Sequence, residues 1–315
     1  LKTVRSGADS LPALLARAET VLARLESLLP APLPQPNWKA RAFRWRMRGE
    51  RGYLQEVLHP HTIRLDDLVA IDEQKRMIDA NTRQFLAGLP ANNVLLTGSR
   101  GTGKSSLVKA MLARYGSKGL RLIEVDKSDL VNLPDIVDLL AGRAERFLVF
   151  CDDLSFDANE PGYKALKVML DGTIAGSSSN VLIYATSNRR HLLPEYFSEN
   201  LETRHVGEEV HPGESVEEKI SLSERFGLWI SFYPFSQDDY FAAVNAWLDH
   251  HGVARPRDSK AIDALHHDAV QFALQRGSRS GRVAWQFARD RAGARALSAL
   301  QRRAPATKRV SRTSD

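Results

Sequence analysis

The stretch "NNVLLTGSRGTGKSSLVKA", residues 92–110, decides how this chain is read. It opens on a short apolar run, NVLLT at 93–97, and passes through a glycine-rich turn. It then continues into SSLVKAMLARYG, whose apolar residues recur at helical spacing. The turn, Gly98-Ser99-Arg100-Gly101-Thr102-Gly103-Lys104-Ser105, fits the pattern G-x-x-x-x-G-K-[ST]. Average residue usage makes a chance match in a chain this long on the order of one in a hundred. A strand that stops, glycines that let the backbone wrap and a helix that starts together make a phosphate cradle, with helix N-terminal N–H groups meeting the charge. Lys104 is placed to reach the outer phosphates and the Ser105 hydroxyl to ligate magnesium, with Ser106 following in the same turn.

Outward from this loop the chain alternates strands with helices. LRLIEVD (120–126), RFLVFCDD (146–153), NVLIYATSN (180–188) and FGLWISFYPF (226–235) are further apolar runs of strand length. Near-continuous apolar strands between helices predict a parallel sheet covered on both faces. One of them ends on two adjacent carboxylates, Asp152 and Asp153. Buried carboxylates are costly unless paired or metal-bound, so the pair needs a cation or a strand end open to solvent. Beside a phosphate loop, a strand-end carboxylate helps hold magnesium, which suits Asp152. Asp153 then orients and polarises an attacking water, or else shapes a tight turn or helix cap. Cys151 sits in the apolar run and reads as a small core residue.

The 315 residues carry a net charge of +6, 43% hydrophobic and 26% charged residues, the profile of a globular chain with no apolar run long enough to span a membrane. One cysteine allows no internal disulfide, which suits a reducing cytoplasm. Residues 11–29 carry leucines, alanine and valine at spacings of three and four, an amphipathic helix. PAPLPQPN (30–37) reads as an extended linker. AFRWRMR then alternates Phe43, Trp45 and Met47 with Arg44, Arg46 and Arg48, a strand with one apolar and one basic face. Its ordinary reading is an edge strand; its other reading is a nucleic-acid surface. HPH (59–61) is too short for a metal site, and GEEVHPGESVEEK (207–219) reads as an exposed acidic loop. Three helices follow residue 236, over 238–250, 261–276 and 281–300, and a basic tail occupies 301–315.

In order along the chain, RLDDLVAIDEQKRMI, the phosphate loop, FLVFCDDLSF, YKALKVMLDG, VLIYATSNRRHLLPE, SLSERFGLWISFYPF and RGSRSGRVAWQFARD resemble the AAA+ ATPases over about residues 40–300. The chain is most similar to an uncharacterised bacterial family of AAA+ ATP-binding proteins known as a domain of unknown function. The resemblance implies an α/β phosphate-loop NTPase core of parallel sheet, a smaller C-terminal helical lid and an N-terminal helix and strand extension. The implied division is 1–60, core 61–235, lid 236–300 and disordered tail 301–315. It also implies ATP or ADP with magnesium as ligands. Lys104 and Ser105 match Walker A; Asp152 and Asp153 match Walker B, where Asp153 is one methylene shorter than the usual glutamate. Asn188 matches the sensor-1 position. Arg225 resembles an arginine finger supplied to a neighbouring subunit, unless it pairs with Glu224 or Glu218 on its own surface. Arg279 resembles the lid's sensor-2 arginine, with Arg282 the alternative three residues on. Ile71 matches the apolar residue beside the adenine, or is plain core.

The implied activity is an oligomeric ATPase that couples nucleotide state to remodelling of a protein target the sequence does not specify. Alternatives from the same residues are a nucleotide-gated scaffold without turnover, a nucleic-acid loader using the strand at 43–48 and the basic tail, and a small-molecule kinase.

Overall fold

In the computed structural model, residues 11–28, 32–61, 63–156, 160–171, 179–189, 192, 204–206, 209–211 and 222–303 are described. A seven-stranded sheet organises them. In chain order its strands are β1 (Ala42–Arg48), β2 (Arg51–Glu56), β3 (Val94–Gly98), β4 (Leu120–Glu124), β5 (Arg146–Cys151), β6 (Val181–Ser187) and the late strand β9 (Leu228–Phe232). Across the sheet they lie in the order β2-β1-β4-β5-β6-β3-β9. Every pairing is parallel except β1 with β2, which is an antiparallel hairpin. The sheet is therefore mixed and mostly parallel, as the apolar runs predict.

Both faces are covered. Along β5, Phe147, Val149 and Cys151 point into one core, shared with α4 (Leu133–Leu140) and α5 (Pro161–Asp171). Leu148 and Phe150 point into the other, shared with α2 (Asp72–Leu86) and α3 (Lys104–Tyr115). Period-two geometry sends alternate side chains to opposite faces, so a strand buried on both must be apolar throughout.

The strand at 42–48 is not an edge. β1 lies between β2 and β4, and Phe43 and Trp45 are buried. Its basic face is turned onto carboxylates: Arg44 donates to Glu124 at 2.6 and 2.8 Å, and Arg46 to Asp126 at 3.0 Å. Sequence alternation establishes a two-faced strand but not its neighbours, and here β2 covers the outer side. The stretch read as an acidic loop carries part of a second, two-stranded sheet, β7 (Arg204–Val206) with β8 (Glu209–His211); the rest of 207–219 lies outside the described residues, as does the tail beyond Arg303.

Three helices follow the sheet: α6 (Gln237–His250), α7 (Ser259–Gln275) and α8 (Gly281–Arg303). Ser236 caps α6, accepting from the Asp239 N–H while the Asp239 side chain accepts from the Ser236 N–H. Tyr240, Val244, Leu248, Leu265, Ala269 and Phe287 build their own apolar core. No helix among the described residues is long and apolar enough to cross a membrane.

Candidate functional site

The turn between β3 and α3 is tied down by its own backbone. Gly98, Gly101 and Gly103 all have positive φ, at 127°, 77° and 102°. A Cβ on Gly98 would sit 1.9 Å from the Phe232 carbonyl oxygen, so β9 approaches too closely for any other residue. Thr102 donates to the Ser99 carbonyl at 2.8 Å, bracing the loop.

Lys104, first residue of α3, is only 5% exposed. Its ammonium donates to the carbonyls of Gly98 at 2.7 Å and Ser99 at 2.8 Å, and to Asn188 Oδ1 at 3.0 Å. Burial pushes its pKa down to about 8, against the opposing pull of Asp152 and Asp153. The next residue, Ser105, donates its hydroxyl to Asp152 Oδ1 at 2.5 Å. Thr186, at the end of β6, donates to the same oxygen at 2.6 Å and accepts from the Asp153 N–H at 2.9 Å. One threonine therefore positions both members of the acidic pair.

Asp152 and Asp153 both lie at the open end of β5, exposed to solvent. Asp153 has φ 53°, in the left-handed region that short polar side chains tolerate best. Its carboxylate accepts from the Asn188 amide and lies 4.0 Å from the Arg100 guanidinium. Ala70, beside the cavity residues Val69 and Ile71, is the other described non-glycine residue with positive φ, at 60°. Backbone strain of this kind collects at functional sites.

These groups open into a cavity of about 620 Å³ between the sheet's carboxyl edge and the C-terminal helices. Its polar lining includes Arg100 to Ser106, Asp152, Asp153, Thr186 and Asn188. Its apolar lining includes Ile63, Leu68 and Ile71, with Trp247 of α6 and Trp285 of α8. The helical unit closes directly on the loop: the Arg282 N–H donates to the Gly101 carbonyl at 3.3 Å, and Ser280 is buried against Gly101.

Most of the residues singled out in the sequence meet here. Ile71 lines the cavity. Gly98 and Ser99 do not line the cavity; they hold Lys104 through their carbonyls. Of the two lid arginines, Arg282 faces the cavity, while Arg279 turns outward to Gln237 at 3.3 Å. Arg225 is bonded to Asp171, 54 residues away in sequence, while Glu218 lies outside the described residues. His61 lines the cavity wall, and no described group of three or more His, Cys, Asp or Glu side chains is arranged for a metal. The Cys151 thiol is buried and pushed up to about 12, firstly by burial and secondly by Asp152, so it stays protonated.

Sequence reasoning missed Ile63, Leu68, Trp247 and Trp285. Trp247 reads as the apolar face of a helix, and only packing shows that this face meets the cavity. Trp285 carried a usable signal: it lies three residues after Arg282 on one helix, hence on the same side.

The donor set tests well for magnesium. A hard cation that keeps most of its waters needs only one or two protein oxygens, and Ser105 and Asp152 present theirs together. A cavity of this size, lined by apolar side chains as well as by Arg100, Lys104 and Arg282, has room and chemistry for a base and a chain of phosphates.

A family model described as "Protein of unknown function (DUF815)" matches residues 38–295. No curated protein matches the chain in sequence. Among solved structures it is similar to a RuvB mutant of Thermotoga maritima, 15% identical over 76% of this chain and 67% of that one, with a TM-score of 0.49. A second RuvB mutant from the same organism is 15% identical over 74% of this chain and 64% of that one, with a TM-score of 0.45. The chain thus spans about two thirds of the length of those proteins. With a family match running from Trp38 almost to the end of α8, this chain belongs to the DUF815 family.

Proposed function

We propose that this protein binds ATP with magnesium in the cavity between the sheet and the C-terminal helices, and hydrolyses it. The observation that carries the reading is the 2.5 Å hydrogen bond between Ser105 Oγ and Asp152. It joins the phosphate-loop hydroxyl to a strand-end carboxylate 47 residues away, the oxygen pair a magnesium–phosphate complex requires.

Each residue then has a task. The Gly101 to Ser105 backbone faces the phosphates, and Lys104 neutralises them. Ser105 and Asp152 hold magnesium, which supplies charge neutralisation on the phosphate oxygens when bound. Asp153 accepts a proton from the attacking water, with Asn188 fixing the direction of its carboxylate. Ile71, Leu68 and Trp247 exclude water around the base. Arg282 reaches from the helical unit toward the phosphates, so nucleotide binding draws residues 236–300 against residues 61–235 as a lid on a core. Arg225 serves a neighbouring subunit in an oligomer once it exchanges Asp171 for that site.

A second reading has its own observation. The Asp153 carboxylate is already engaged by Asn188 and Arg100 and sits one methylene shorter than a glutamate. A protein in this state would bind nucleotide and turn it over only when a partner releases Asp153. A nucleic-acid role through residues 43–48 is less well supported, since Arg44 and Arg46 already serve Glu124 and Asp126.

The test is phosphate release from ATP and magnesium across a range of protein concentrations, beside direct ATP binding to the wild type and Lys104→Ala. Binding lost in Lys104→Ala, with specific activity rising with concentration, supports the oligomeric ATPase. Tight binding without release at any concentration supports the gated reading. Equal ATP binding by Lys104→Ala sinks both.

A further inference from the structure

Four side chains at the phosphate loop form a line with a cation at each end. The Lys104 ammonium donates to Asn188 Oδ1 at 3.0 Å. The Asn188 amide donates to one oxygen of Asp153. The other Asp153 oxygen lies 4.0 Å from the Arg100 guanidinium. Both cations come from the same glycine-rich turn.

The two cations are held in opposite ways. Lys104 is buried and donates to three internal acceptors. Arg100 has a pinned backbone and an exposed head. The Ser99 carbonyl before it accepts from Thr102 Oγ1 and from Lys104, both at 2.8 Å. The Gly101 carbonyl after it accepts from the Arg282 N–H at 3.3 Å. The Arg100 side chain is 77% exposed, so its rotation alone relocates the charge.

The position of Asp153 names the phosphate that Arg100 meets. A base that takes a proton from the attacking water stands beside that water, which in turn stands beside the γ-phosphorus. A guanidinium next to Asp153 is therefore next to the γ-phosphate. The competition favours the phosphate. An ion pair between side chains as exposed as these contributes little. A terminal phosphate carries up to about two negative charges and can take two N–H groups of one guanidinium edge.

We propose that Arg100 is a catalytic cation supplied in cis by the phosphate loop: ATP draws it from Asp153 onto the γ-phosphate, which leaves the Asp153 carboxylate to Asn188 and the attacking water. The inference rests on the nucleotide reading of the site. In the step it serves, the water oxygen bonds to the γ-phosphorus as the bond from that phosphorus to the β,γ-bridging oxygen breaks. The bridging oxygen leaves on ADP with the electron pair, and one water proton passes to Asp153. Arg100 meets the negative charge spread over the γ-oxygens during transfer. ADP lacks that group, so it leaves the Arg100–Asp153 pair in place.

The test compares the full chain with its Arg100→Ala variant. It measures ATP and ADP affinity with magnesium, single-turnover phosphate release, and trapping of ADP with aluminium fluoride, a mimic of the phosphoryl group in transfer. Arg100→Ala should bind ADP as wild type does and ATP about tenfold more weakly. Release should fall about 10³-fold, and the ADP–aluminium fluoride complex should not form. Free guanidinium ion should recover part of the rate by entering the space the side chain leaves. The melting temperature should match wild type, since the side chain is exposed. Wild-type release with a wild-type ratio of ATP to ADP affinity overturns the proposal and leaves the ATPase reading standing. Equal losses of ATP and ADP affinity overturn it by making Arg100 a general phosphate contact. Faster release from Arg100→Ala overturns it by making the arginine a restraint on Asp153. If wild type binds ATP and releases nothing, the affinity ratio and the aluminium fluoride complex decide. Unchanged ATP binding by Lys104→Ala removes the nucleotide reading and the proposal together.

Discussion

The Lys104 ammonium donates to Asn188 Oδ1 at 3.0 Å, joining the phosphate loop to the end of β6 across 84 residues of sequence. With the Gly98 and Ser99 carbonyls taking its other two protons, the lysine is satisfied internally, yet its charge is buried. A phosphate entering the loop would meet a buried cation and would have to take over protons now held by these internal acceptors.

That burial makes a pH prediction. The Lys104 pKa is lowered from the ordinary 10.5 to about 8. Between those values the unfolded chain holds the proton and the folded chain does not, so this group raises stability as pH climbs through the window. The cost of the buried charge is fully present below pH 8. The gain by pH 10.5 is at most about 3 kcal/mol. Lys104→Met should flatten the rise in melting temperature between pH 8 and 10.5 relative to wild type. An anionic phosphate beside Lys104 favours its charged form, so near pH 8 nucleotide should bind with proton uptake, read by calorimetry in buffers of different ionisation enthalpy.

Thr186→Val removes the hydroxyl that donates to Asp152 and accepts from the Asp153 N–H. It retains the side-chain shape. Residues that orient a metal ligand contribute about 10- to 100-fold in metal affinity. The magnesium concentration for half-maximal activity should rise by that order, with ATP affinity in the absence of metal little changed.

Asp153→Asn keeps a side chain that tolerates the left-handed backbone at φ 53°. It removes the proton acceptor. Turnover should fall by about 10²-fold or more while ATP still binds. Undiminished phosphate release would move the base elsewhere.

Trp247 and Trp285 both line the cavity from the C-terminal helices. Nucleotide should change tryptophan fluorescence, and Trp285→Phe should reduce that change. Arg282→Ala should weaken ATP binding about tenfold, the scale of one charge-assisted contact. Arg279→Ala, bonded to Gln237, should leave affinity near wild type.

Gly98→Ala places a methyl group 1.9 Å from the Phe232 carbonyl oxygen, at a φ of 127° that alanine avoids. Overpacking and strain together should cost about 3 kcal/mol or more. A lower urea midpoint with an unchanged slope is the expected readout.

The phosphate loop, the acidic strand end and the alternation of strands and helices were legible because each is local. A glycine at positive φ, a strand apolar on both faces and a helix stripe are demands made within a few neighbouring residues. Phe147 through Cys151 could be read as doubly buried without knowing what covered them. The same locality explains the misses. Arg46 reads as a free basic face until β4 brings Asp126 to it. Arg225 lies beside Glu224 in sequence, and the fold brings it Asp171 from 54 residues away. Trp247 reads as lid core, and only the closure of α6 on the sheet turns it toward the cavity.

The sequence by itself determined the loop that can wrap a phosphate, the paired carboxylates and the order of the elements, since covalent neighbours and period set those. Tertiary structure decided which arginine faces the cavity, that one threonine serves both aspartates, and that the basic strand spends its charge internally. Those outcomes depend on which elements become neighbours across the sheet. Charge and hydrogen-bond energies fall off within a few ångströms, so the partner that arrives in space, rather than the one nearby in sequence, sets each side chain's role.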